Sequence, residues 1–72
     1  MNKVTIQPEL YYRDIFKPLM IEKIRVILSR DYGINFLYHG EERSGDWYEI
    51  YNVSKFSLFM LKYSEYIIKI YE

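Results

Sequence analysis

Few side chains in this sequence could carry out chemistry. His39 is the single histidine, and there is no cysteine. An imidazole can shuttle a proton near neutral pH, but proton transfer needs a positioned nucleophile or substrate, and none accompanies His39 locally. It reads as a surface or hydrogen-bonded structural residue at a strand end. Glu41, Glu42, Asp46 and Glu49 follow it. Such carboxylates could hold a hard cation or work as an acid–base pair, yet their spacing does not match a calcium loop. They read instead as a solvated hairpin tip or an acidic recognition edge. Gly-rich phosphate motifs and zinc-binding histidine pairs are absent, and the lack of cysteine removes disulfides and thiolate zinc sites. A catalytic reading would require a concave site that brings His39 against carboxylates or tyrosines distant in sequence. No catalytic, metal-ligating or cofactor-binding residue is assigned, and no cofactor is expected.

Aromatic residues offer a different capability. Nine tyrosines and one tryptophan occur in 72 residues. Tyrosine packs its ring while its hydroxyl stays hydrated, which suits contact with another macromolecule. Trp47 is the best single anchor, at the start of a strand just past the acidic turn. Alternation along that strand groups Tyr51 and Glu49 with it, and Glu41 and Glu42 would add a charged rim. The competing role for Trp47 is to cover the hydrophobic core of a small domain.

Length and composition limit the architecture that can present such a surface. The chain has room for a single compact domain, residues 1–72, with one modest core. Apolar residues make up 50% and charged residues 28%, which argues against disorder. Alanine is absent, so helices must be held by packing rather than intrinsic propensity. Lysine, isoleucine and tyrosine are abundant, as AT-rich genomes favour. Zero net charge conceals segregation. Residues 1–30 carry six basic and three acidic groups, residues 31–54 one basic and five acidic. Met1 to Gln7 lacks the apolar stretch of a signal peptide, and no apolar run approaches the roughly 20 residues that span a bilayer. The expected location is the cytoplasm, without membrane attachment.

The periodicity predicts an α+β fold, a small αα-ββ-α domain with helices packed on a β-hairpin and an extra N-terminal strand as an option. Residues 3–7 form an edge strand or a loose tail. Pro8 opens a short helix over 8–17, which Pro18 ends by biasing Lys17 away from helical angles. Met20, Ile21, Ile24, Ile27 and Leu28 make the apolar stripe of a second helix over 18–32, with Gly33 as its C-cap. Leu19 and Val26 lie outside this stripe, against the first helix or at a partner surface. Residues 34–39 and 46–52 are strands joined by a polar turn, with Ile34, Phe36 and Tyr38 on one face. From Asn52 onward, Phe56, Phe59, Met60, Tyr63, Tyr66, Ile67 and Ile70 follow a helical stripe, which favours one long helix. A strand pair turning at residues 62–65 is the rival, supported by β-branched and aromatic enrichment.

These readings converge on a non-enzymatic protein-binding module of bacterial or phage type, an inhibitor or adaptor that masks a surface of a larger protein. The candidate binding residues are Glu41, Glu42, Trp47, Glu49 and Tyr51. A structural homo-oligomer, including a homodimer, is one alternative. A small nucleic-acid-associated regulator is another, with weaker support because Lys17, Lys23, Arg25 and Arg30 make only a small positive patch on a neutral chain.

Overall fold

A computed structural model describes residues 2–41 and 43–72. The domain is α+β, with helices over a four-stranded antiparallel sheet, and its element order follows the expected αα-ββ-α arrangement, with 3₁₀ turns as the first helical segment and a strand at each end. Strands β1 (Lys3–Ile6), β2 (Ile34–His39), β3 (Asp46–Ile50) and β4 (Ile67–Tyr71) lie in the order β2-β3-β1-β4. Helices α1 (Ile21–Tyr32) and α2 (Val53–Tyr63) connect β1 to β2 and β3 to β4. This is the double split-βαβ connectivity called ferredoxin-like, a topology that hosts many unrelated functions.

The N-terminal strand is interior rather than an edge. Lys3, Val4, Thr5 and Ile6 pair with β3 on one side and β4 on the other. Val4 and Ile6 face the helices and are fully buried, so the β-branched pattern serves a central strand. The following segment does not make the expected helix over 8–17. It forms 3₁₀ turns at Pro8–Tyr12 and Asp14–Phe16, separated by extended Arg13, and the second turn opens with Asp14 at φ 45°. Gln7 gives the first turn no side-chain cap, which leaves a short, poorly nucleated segment. Lys17 nevertheless keeps helical angles before Pro18.

Helix α1 starts at Ile21, with Met20 as its extended N-cap and 73% exposed rather than part of the apolar stripe. Ile24, Leu28 and Tyr32 are buried. Leu19 packs against the core, whereas Val26 is exposed. Gly33 closes the helix at φ 68°, its N–H donating to the Leu28 and Ser29 carbonyls. A Cβ there would lie 2.5 Å from the Asn52 carbonyl oxygen, so both the backbone angle and the close approach call for glycine.

The C-terminal segment divides between the two readings of its sequence. Asn52 caps α2 by accepting the Lys55 N–H at 3.0 Å. After Tyr63 the chain leaves the helix through a 3₁₀ turn at Ser64–Tyr66 and enters β4. The expected continuous helix is therefore wrong beyond Tyr63. The cause is tertiary: β1 has an open side, and Ile67–Tyr71 is a β-branched, aromatic strand that pairs with it. Val4, Ile6, Ile34, Tyr48 and Ile50 from the sheet join Ile24, Leu28, Phe56 and Phe59 from the helices in one core.

Candidate functional site

With both helices on one side, the opposite face of the sheet is left without a helical layer among the described residues. Residues that face away from the helices gather there. On β1 these are Lys3 and Thr5, on β3 Trp47 and Glu49, and on β4 Lys69 and Tyr71, as set by alternation and register. On β2, Asn35 faces outward, and then the register shifts between Phe36 and Tyr38. This bulge at Leu37 pairs Tyr38 directly with Trp47. Tyr38 thus lies opposite Ile34 and Phe36, correcting the simple alternation that put all three on one face.

Three of these side chains form a stacked row. The Tyr38 and Trp47 ring centroids are 5.7 Å apart at 19°, and those of Trp47 and Tyr71 are 4.7 Å apart at 29°. Thr5 faces outward between the strands of Trp47 and Tyr71 yet is only 1% exposed, because the two rings close over it. The Lys69 ammonium lies 5.0 Å from the Tyr71 ring centroid. Tyr38 is 52% exposed and Trp47 half-buried. Trp47 consequently lies outside the hydrophobic core and anchors the outer face.

The remaining candidates do not all join it. Glu49 is exposed on the same face, beside Lys3 of β1 and Asn35 of β2. Glu41 is exposed in the β2–β3 turn, where its carbonyl accepts the Ser44 N–H at 2.8 Å. Glu42 lies outside the described residues. Tyr51 follows the end of β3, and its hydroxyl donates to the Ser29 carbonyl of α1, away from Trp47. The residues that sequence reasoning missed are Tyr38 and Tyr71.

On the helix side, the structure does bring His39 together with a carboxylate and two tyrosines. His39 and Asp46 pair across β2 and β3, with Nδ1 2.9 Å from Oδ1. The Tyr11 hydroxyl donates to Asp46 Oδ2 at 2.6 Å and lies 2.7 Å from the Tyr48 hydroxyl. With Tyr11 donating to the carboxylate, Tyr48 must donate to Tyr11. Arg25 Nη2 is 3.4 Å from His39 Nε2, and its guanidinium lies 3.6 Å from the Phe36 ring centroid. An open cleft of about 360 Å³, bounded in part by Pro8, Tyr12, Leu19 and Ile21, borders this cluster. Burial, then the neighbouring Tyr48 and Asp46, pushes the Tyr11 hydroxyl well above its ordinary range. Burial likewise pushes Tyr48 up to about 12. Both phenols therefore stay protonated and act as donors, not nucleophiles. The chain of bonds fastens the Pro8–Tyr12 turn to the β2–β3 hairpin and satisfies Asp46, which is 5% exposed.

Among the described residues, no group of three or more histidine, aspartate or glutamate side chains is placed to hold a metal ion. Nor, among the described residues, is any helix long and apolar enough to cross a membrane. Compared with known protein families, curated proteins and solved structures, the chain matches none.

Proposed function

We propose that this domain is a non-enzymatic protein-binding module of the cytoplasm, an inhibitor or adaptor that masks a surface of another protein with the outer face of its sheet. The observation that carries this reading is the row Tyr38–Trp47–Tyr71 on the face that the helices leave open. Aromatic anchors set among charged and polar groups, here Lys3, Glu49, Asn35 and Lys69, are a common basis of protein recognition. The rings are held by one another, so little side-chain freedom is lost when a partner docks. Helices α1 and α2 support the sheet from behind and keep the surface rigid.

Single-stranded nucleic acid is the second reading, favoured by Lys3 and Lys69 beside an aromatic row. Base stacking needs a free ring face. Tyr38 and Tyr71 stack on either side of Trp47, and Lys69 lies against Tyr71. On α1, Arg30 is engaged with Asp31 and Arg25 with Phe36, which disperses the expected basic patch. Protein contact is the better fit.

Quantitative affinity capture from native-source lysate tests the proposal. The baits are wild type, Trp47→Ala and the helix-face control Leu61→Ala, each first shown by circular dichroism to be folded. Leu61 is 83% exposed, so its truncation should leave the sheet intact. A recurrent protein lost with Trp47→Ala and retained with Leu61→Ala supports the reading. Loss with Leu61→Ala alone moves binding to the helices, and a salt-sensitive shift of random single-stranded RNA or DNA without protein capture favours the second reading.

A further inference from the structure

The brace between His39 and Asp46 uses one ring nitrogen of the histidine and leaves the other outside it. A carboxylate only accepts hydrogen bonds. Asp46 takes the Tyr11 hydroxyl on Oδ2, and its Oδ1 lies 2.9 Å from His39 Nδ1. In the neutral ring this network puts the proton on Nδ1 and the lone pair on Nε2. Asp46 is buried, whereas the His39 side chain is 68% exposed. One end of the imidazole is therefore fastened and the other is open to a reactant. A carboxylate on Nδ1–H also stabilises the positive charge that the ring gains when Nε2 forms a bond.

A cation stands beside Nε2. Arg25 Nη2 lies 3.4 Å from it, a long hydrogen bond, and the Phe36 ring holds the guanidinium in place from 3.6 Å. That contact supplies no counter-charge. Among the described residues, Arg25 has no carboxylate within ion-pair distance, and its buried Nε has no hydrogen-bond partner.

We propose that His39 Nε2 accepts a phosphoryl group whose oxygens are bound by Arg25. A nucleophilic nitrogen next to an arginine without a counter-ion suits an electrophile that is itself an anion. A phosphoryl group on Nε2 sets its oxygens around the new bond, where the planar arginine fork can take two of them. The donor carries its phosphoryl group on nitrogen, so the bond formed is of the same kind as the bond broken. The Nε2 lone pair attacks phosphorus and the P–N bond of the donor breaks. Its electron pair leaves with the donor nitrogen, which is protonated beforehand and departs neutral, so no proton moves in the step. The ring becomes a cation with Nδ1–H still on Asp46, and Arg25 faces the negative oxygens. This site lies on the helix side of the sheet, apart from Tyr38, Trp47 and Tyr71, and goes beyond the docking role.

Potassium phosphoramidate tests the proposal with the intact chain. Wild type should gain one phosphoryl group by intact mass, and phosphorus NMR should place it on Nε2. Exposed imidazoles also react with this reagent, so N-acetylhistidine amide and the urea-unfolded chain set the baseline. Transfer to folded wild type should be at least about tenfold faster than either. His39→Gln should gain no phosphoryl group, and Arg25→Gln should react at least about tenfold more slowly than wild type. Arg25→Lys keeps the charge without the planar fork and should fall between them, which separates lost charge from lost packing on Phe36. All variants are first shown by circular dichroism to be folded. A wild-type rate no greater than the baseline, a phosphoryl group on Nδ1 or on another residue, or Arg25→Gln reacting as wild type does would overturn the proposal.

Discussion

Trp47 on β3 and Tyr71 on β4 stack with ring centroids 4.7 Å apart although β1 runs between their strands. The contact is made over Thr5, whose short side chain leaves room for both rings and becomes buried beneath them. Three strands are tied together on the face opposite the helices, and Tyr38 extends the tie to β2.

Truncating the centre of this row should cost stability without unfolding the domain. Each aromatic pair contributes about 0.5–1.5 kcal/mol, so Trp47→Ala, which removes two pairs, should lower the free energy of unfolding by about 1–3 kcal/mol. Urea denaturation followed by far-ultraviolet circular dichroism measures this. No change would show that Trp47 does not stack in solution; loss of the folded signal without denaturant would place it in the core.

The Asp46 cluster should behave as a structural brace. Asp46→Ala removes the acceptor of both Tyr11 and His39 and should cost about 2–3 kcal/mol, whereas Tyr48→Phe removes one terminal donor and should cost about 1 kcal/mol. Denaturant titration of both variants would reveal the ordering. Equal and negligible effects would contradict the hydrogen-bonded chain.

Alkaline titration reads the burial of Tyr11 and Tyr48. The Tyr48 pKa is raised from 10.0 to about 12, chiefly by burial, and that of Tyr11 is raised for the same leading reason. Folding favours the protonated phenol, so this contribution is complete below the unfolded value of 10.0 and is lost as pH rises from there through the folded pKa. Tm should fall above about pH 10, and phenolate absorbance of wild type minus that of Tyr11→Phe or Tyr48→Phe should show each of these two phenols ionising above 10.0. Ionisation of either at its unfolded value in the folded protein would contradict its burial.

The junction of the two helices depends on Gly33. Its carbonyl accepts the Tyr51 and Asn52 N–H groups at 2.9 and 3.3 Å, and Lys55 Nζ donates to the Arg30 carbonyl at 2.8 Å. Gly33→Ala adds a Cβ 2.5 Å from the Asn52 oxygen at a positive φ and should cost at least about 1–3 kcal/mol, measurable by thermal unfolding. An unchanged Tm would mean that the backbone relaxes freely there.

Local physics made much of the fold legible. Ile21, Ile24, Ile27 and Leu28 marked α1, Gly33 marked its end, and the alternating residues of 34–39 and 46–50 marked the hairpin. Long-range pairing was not legible. Nothing local distinguishes β1 as a central strand, and Tyr66, Ile67 and Ile70 fit a helical stripe as well as a strand until β1 supplies a partner. The same gap divided the candidate site. Trp47 and Glu49 were readable from strand alternation and composition. Tyr71 was hidden because β4 was expected to be helical, and Tyr38 because the bulge at Leu37 reverses its face. The β-branched run at the C-terminus was the one signal that could have placed Tyr71 on a strand. Tyr51 failed as a neighbour of Trp47 because β3 ends before it, at Ile50.

Site-specific photo-cross-linking in native-source cells addresses the central claim most directly. A benzophenone side chain would replace Tyr38 on the outer face in one variant and Leu61 on α2 in another. Adducts to protein, whether to a different chain or to a second copy, should form from position 38 and be sparse from position 61. Adducts confined to position 61, or adducts to nucleic acid alone from position 38, would contradict a protein-docking role for the outer face of the sheet.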